Sequence, residues 1–177
     1  AGVKYFLSIN QTESLVTGQT TVTEANGLTC YSNSQYFLIA KDGGHNLLKY
    51  KTKANQNIAC EYNIGKNDFE FGNGVEYFLA FVGNHLITDS GTAPGLRGLT
   101  VYDLDTRKEV YQGYHDSSIS VKDNTISYWT KSGEKVTREN CPQLDEYSAE
   151  GFGAVRESYV TLDLGSLSEK AEGQYRC

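Results

Sequence analysis

The sequence predicts an all-β domain built from about four units of antiparallel strands. Three observations carry this expectation. Tyr (13), Phe (7) and Gly (18) are abundant while Pro occurs only 2 times, a balance that favours strands joined by turns over helices. Apolar and polar residues alternate in short runs closed by Gly, Asn or Asp. A pattern of two hairpins recurs at a spacing near forty residues.

Length and charge narrow the classes before any motif is considered. A chain of 177 residues is long enough for one domain with its own core. The formal net charge is −6, from 16 basic and 22 acidic residues, so no basic footprint for nucleic acid is present. No apolar run approaches the ~20 residues of a membrane-spanning helix.

The repeat is clearest when Tyr77-Phe78-Leu79-Ala80-Phe81-Val82-Gly83-Asn84-His85-Leu86-Ile87-Thr88 is placed above the segment from Ser117 to Tyr128. The two align without a gap. Each reads as strand, tight turn, strand, with turns at Gly83-Asn84 and Asp123-Asn124, residue types that tolerate positive φ. An earlier copy starts at Tyr36-Phe37-Leu38-Ile39-Ala40 and turns at Asp42-Gly43-Gly44, and a fainter start lies at Tyr5-Phe6-Leu7-Ser8-Ile9. A second hairpin follows each first one. Leu99-Thr100-Val101-Tyr102-Asp103-Leu104-Asp105-Thr106 has its counterpart in Tyr159-Val160-Thr161-Leu162-Asp163-Leu164-Gly165-Ser166. The short polar side chain of Asp or Thr in each corner is expected to cap the backbone amides of its own turn. The units are thus a partial one over 1–35 and repeats over 36–76, 77–116 and 117–177, the last carrying an insertion at 129–158. Phe69-Glu70-Phe71 is a weak fourth strand of the first full unit. Short helical turns are expected near 140–148 and 166–171. The core falls to Phe37, Ile39, Phe78, Ala80, Val101, Ile119, Val121 and Leu162. Sandwiches and small barrels are built from the same kind of strands and stay open as alternatives.

The run Leu-Thr-Val-Tyr-Asp-Leu-Asp-Thr-Arg-Lys-Glu-Val, residues 99–110, resembles the outer hairpin of blades in bacterial β-propeller-repeat proteins. The resemblance covers about residues 36–128 and 159–177. It implies a β-propeller-like fold, open or minimal, and says nothing of chemistry. In size, acidity and blade pattern the chain is also similar to periplasmic immunity proteins against type VI-delivered peptidoglycan amidases. That similarity implies an inhibitor that plugs the active site of a cell-wall hydrolase toxin.

In such a unit the tight turns share one face and the longer connections the other. Gly65–Gly74, Asp89–Gly98, Gln112–Ser118 and Thr130–Ser158 therefore gather on one face as loops, where function is usually carried. Gln112–Ser118 is the expected centre of a partner site made of Tyr114, His115, Asp116, Ser117 and Ser118, with Trp129 beside it. The small polar tip Asp116-Ser117-Ser118 would enter the partner's cleft. The partner expected is a protein, in the sharpest form a basic peptidoglycan hydrolase, which an acidic body would attract. The alternative is a carbohydrate- or cell-wall-binding module that uses Trp129, Tyr147 and Phe152 as stacking platforms.

Enzyme signatures are not apparent. His115-Asp116-Ser117-Ser118 contains the side-chain types of a serine triad, but neighbours in sequence do not converge on one point. His45 and His85 occupy equivalent places after the first turn of successive repeats and read as solvent-facing turn residues. No cofactor and no metal is expected. Cys30, Cys60, Cys141 and Cys177 form no Cys-x-x-Cys pair, which disfavours zinc. Of three possible pairings, Cys30–Cys60 with Cys141–Cys177 is preferred because both close local loops, each stabilising by roughly 3 kcal/mol in the chain-entropy model. With the small residues Ala1-Gly2-Val3 at the start, as after signal-peptide cleavage, the disulfides point to a periplasmic or secreted protein. Asn10-Gln11-Thr12 would be a glycosylation acceptor only in a eukaryotic secretory route.

Overall fold

A computed structural model describes residues 3–5, 10–11, 20–72, 75–92 and 95–177. Among them the protein is all-β apart from one short helix, and its strands form two antiparallel sheets. The first sheet runs in the order β1 (Val3–Tyr5), β3 (Thr21–Ala25), β4 (Leu28–Ser32), β5 (Tyr36–Lys41), β6 (His45–Tyr50) and β7 (Phe69–Phe71). The second runs β8 (Glu76–Val82), β9 (His85–Ser90), β10 (Arg97–Asp103), β11 (Lys108–Lys122), β12 (Thr125–Lys131), β13 (Glu157–Asp163) and β14 (Ser168–Arg176). The short β2 (Asn10–Gln11) pairs parallel with β11. Among the described strands neither sheet closes on itself.

The turns form where the sequence asks for them. Asn26 and Gly27 (φ 52° and 76°), Gly43 and Gly44 (85° and 75°), Gly83 (59°) and Asp123 (52°) all adopt the left-handed region that tight hairpins require. Gly44 has a second reason to be glycine: a Cβ there would stand 2.6 Å from the backbone nitrogen of Glu76, where β8 begins. The corner aspartates behave as expected. Asp103 Oδ1 accepts from the amides of Asp105 (2.8 Å) and Thr106 (3.3 Å), and Asp163 Oδ1 from that of Ser166 (2.8 Å).

Strand alternation gives β8, β9 and β10 two apolar faces. Phe78, Phe81, Leu86 and Tyr102 pack with Tyr36, Leu38, Leu48 and Phe71 of the first sheet. Ala80, Val82, Ile87, Leu99 and Val101 face the other way, onto Ile119, Val121, Ile126, Tyr128, Val160 and Leu162. The second sheet is therefore creased along β11. Residues 108–115 of β11 pair with β10, and 116–122 pair with β12. The two halves fold together over a shared core, and the first sheet covers the outside of one half, giving three layers. The outer face of the first sheet packs Cys30, Phe37, Ile39 and Leu47 beneath Ile58, Cys60 and Tyr62 of the 51–68 connection. All eight core residues expected from the sequence are buried.

Both disulfides pair as expected, Cys30–Cys60 and Cys141–Cys177. Phe69–Phe71 is a strand, and the helix near 140–148 is α1 (Leu144–Ala149). Three expectations differ. Residues 166–171 are not helical; they turn directly into β14. The hairpin β3–β4, assigned above to a partial unit, is hydrogen-bonded to β5 and so completes the first sheet. Gln112–Ser118 is not a loop, because β11 runs through it without interruption. The small polar tip Asp116-Ser117-Ser118 leads into irregular pairing: three residues, Ser117 to Ile119, stand opposite Tyr128 alone, a bulge that lets the strand change partners. Phe6–Ile9 and Thr12 lie outside the described residues.

Candidate functional site

The insertion between β12 and β13 folds back over the end of the sheet. Its neck closes through Ser132 N–H to Arg156 O at 2.9 Å. Arg156 then ties its interior together, donating to Glu134 Oε2 (2.5 Å) and to Asn140 O (2.8 Å). Cys141, buried, joins it covalently to Cys177 just beyond β14. Between the insertion and β14 opens a groove of about 560 Å³.

The groove has an apolar wall and a charged floor. Tyr147 of α1 and Phe152, Ala154 and Val155 behind it form the wall. Phe152 is 65% exposed, which is unusual for so large an apolar side chain. Asp116, Glu157 and Arg176 make the floor, and Glu150 stands on the rim. Arg176 donates from Nε to Glu157 Oε2 (2.5 Å) and from Nη2 to Asp116 Oδ2 (3.2 Å). Its guanidinium lies over the Trp129 ring at 4.4 Å, and Trp129 in turn packs on Tyr159 at 5.2 Å. Burial raises the Glu157 carboxyl above the ordinary range, and the Asp116 carboxylate raises it further, against the opposing pull of Arg176.

The residues expected at the site are thus divided among three environments. Asp116 and Trp129 face each other across β11 and β12; Asp116 lines the groove, whereas Trp129 does not and touches it only through Arg176, which lies over its ring. Tyr114 is 64% exposed beside a second depression of about 380 Å³ formed with Ser90, Gly98, Thr100 and Gln112. Ser118 is exposed within the bulge, and Ser117 is part of β11 with its side chain outside the described set. His115 is 2% exposed and points into the protein. There its Nε2 lies 3.2 Å from Asp89 Oδ2, while Arg97 donates twice to the same carboxylate, at 2.5 and 2.7 Å. His115 is therefore paired with Asp89, and it sits inside the fold and not on a protruding tip. His45 and His85 each open a strand after a tight turn, in different sheets.

Sequence reasoning missed Glu157 and Arg176 as groove residues. Nothing local distinguishes them. Arg176 is 60 residues from Asp116, and only the order of β11 to β14 brings them together. The one usable signal was the pair Cys141 and Cys177, which placed the insertion against the last strand. Among the described residues, no three His, Cys, Asp or Glu side chains converge to hold a metal.

No family model matches this chain, and no curated protein and no solved structure matches it either. The reading of its function therefore rests on the groove and the fold.

Proposed function

We propose that this protein is an extracytoplasmic protein-binding module, most sharply an inhibitor or immunity protein directed at a cell-wall hydrolase, whose layers are blade-like units of an open propeller. The observation that carries this reading is the groove: an aromatic wall of exposed Phe152 and half-buried Tyr147 beside a charged floor, held in place by a disulfide. Such a mixture of rigid aromatic anchors and polar groups is the composition of protein interfaces. Two disulfides among the described residues suit an oxidising compartment, and none of the described helices is long and apolar enough to cross a membrane. The blade-like reading is supported by three stacked antiparallel layers linked in chain order.

The contact would be made by the groove and not by a plugging loop, since 112–118 is strand. A glycan platform at Trp129 is less favoured, because Arg176 already covers that ring. The test is inhibition. The purified protein is added to candidate peptidoglycan hydrolases from the same source, and turbidity loss of cell walls is followed. The reading expects stoichiometric inhibition by the wild-type chain and its loss in Phe152→Asp. Full hydrolase activity at every ratio, with no complex on size exclusion, would remove it.

A further inference from the structure

Resting on the protein-binding reading above, we propose that the groove between the 132–156 insertion and β14 receives an arginine side chain of the partner, its guanidinium held between the Tyr147 and Phe152 rings and the carboxylates of Asp116, Glu150 and Glu157.

Charge gives the first argument. Three carboxylates line the groove against one cation, Arg176. Arg176 is matched by Glu157 and Asp116, and Glu150 on the rim adds a further negative charge. A shared proton on Glu157 would still leave the groove acidic. The whole chain has the same sign, at −6, so a basic guest is attracted before it docks.

The second argument is shape and stacking. A volume of about 560 Å³ admits a long side chain and its flanking backbone. The margins of the groove already use the proposed contact. Arg176 lies over Trp129 at 4.4 Å, and Arg156 lies over Tyr175 at 4.5 Å. Phe152 and Tyr147 offer further rings. A planar, weakly hydrated guanidinium suits rings and carboxylates together better than the compact ammonium of lysine.

The chain supplies its own reporter. Trp129 is the only tryptophan, and Arg176 of the groove lies over its ring at 4.4 Å, so a guest that engages the carboxylates around Arg176 changes its fluorescence. The full-length protein is titrated with N-acetyl-arginine amide, and in parallel with N-acetyl-citrulline amide, which has nearly the same shape without the charge. We expect saturation by the arginine probe with a Kd of about 1–10 mM, the range open to so small a ligand, and at least fivefold weaker binding of citrulline. Glu150→Gln and Phe152→Ala, both at exposed positions, should each weaken the arginine probe severalfold with an unchanged circular-dichroism spectrum. Equal response to both probes, or an arginine response that survives the Glu150→Gln/Phe152→Ala double variant, overturns the proposal. Its failure is separable from that of the underlying reading. A hydrolase still inhibited by that double variant leaves the protein-binding reading standing and the arginine site refuted. Selective arginine binding by a chain that inhibits no hydrolase supports the site and counts against the inhibitor.

Discussion

The Asp89 carboxylate, on β9, accepts from Arg97 of β10 and lies 3.2 Å from His115 Nε2 of β11. Burial alone would raise it, but the hydrogen bonds and charges of Arg97 and His115 outweigh burial and hold it at about 2, below the ordinary 3.8. A carboxyl whose folded pKa is depressed stabilises the fold above its unfolded pKa. The contribution is lost as pH falls from about 4 towards 2. Asp89→Asn should therefore cost about 2–3 kcal/mol near neutral pH. In urea unfolding, the gap between wild type and variant should narrow as pH falls through that window. A pH-independent gap would mean that the ion pair is not its source. Phe78 is a plainer case. It is 6% exposed and stacks between Tyr31, at 4.2 Å, and Phe81, at 5.0 Å. Phe78→Ala should cost about 3–5 kcal/mol, read from the urea midpoint, and a loss under about 1 kcal/mol would contradict the packing seen here. The phase of Phe78 was legible in the sequence because a strand alternates strictly. The Asp89–His115 pair was not, because it depends on how two strands 26 residues apart come into register.

At the scale of elements, the turns were legible and one long strand was not. Gly83-Asn84 and Asp123-Asn124 announce hairpins because few other residues accept their backbone angles. The strand character of β11 was hidden because the small polar run Asp116-Ser117-Ser118 looks like loop chemistry, whereas it leads into a bulge over Ser117 to Ile119 at which one strand leaves one partner for another. Ser118 is exposed within that bulge, so Ser118→Arg should change stability by no more than about 0.5 kcal/mol; a larger loss of thermal midpoint would show that the bulge is packed. The Cys141–Cys177 bond closes a loop of 36 residues. Replacing both cysteines with serine should lower unfolding free energy by about 3–4 kcal/mol in the chain-entropy model. It should also free the insertion from β14, so Trp129 fluorescence should shift before global unfolding in a denaturant series.

For the whole molecule, the alternation in the sequence anticipated antiparallel strands, but not that the β8–β9 hairpin would pack on residues as far along the chain as Val160 and Leu162 of β13. The site was less legible. Its wall aromatics stood out as a cluster in the insertion, but the floor is assembled from β11, β13 and β14, whose adjacency follows from topology. The position of the groove yields a further expectation. His45→Ala/His85→Ala changes residues at two tight turns that line none of the groove, and hydrolase inhibition should persist in that variant. Loss of inhibition there, with retention in Phe152→Asp, would move the binding surface to the turn side.

The crease along β11 also bears on how the protein opens. One strand of 15 residues donates and accepts in both halves of the second sheet, so neither half can come apart without breaking bonds on that strand. Its amides should be among the slowest in the molecule to exchange with deuterium, and those of residues 108–115 and 116–122 should exchange with one common opening energy, close to that of global unfolding. The insertion and the exposed edge strand β14 should exchange first. A spine of this kind leaves the groove free to adjust to a guest while the layers beneath it behave as a single cooperative unit.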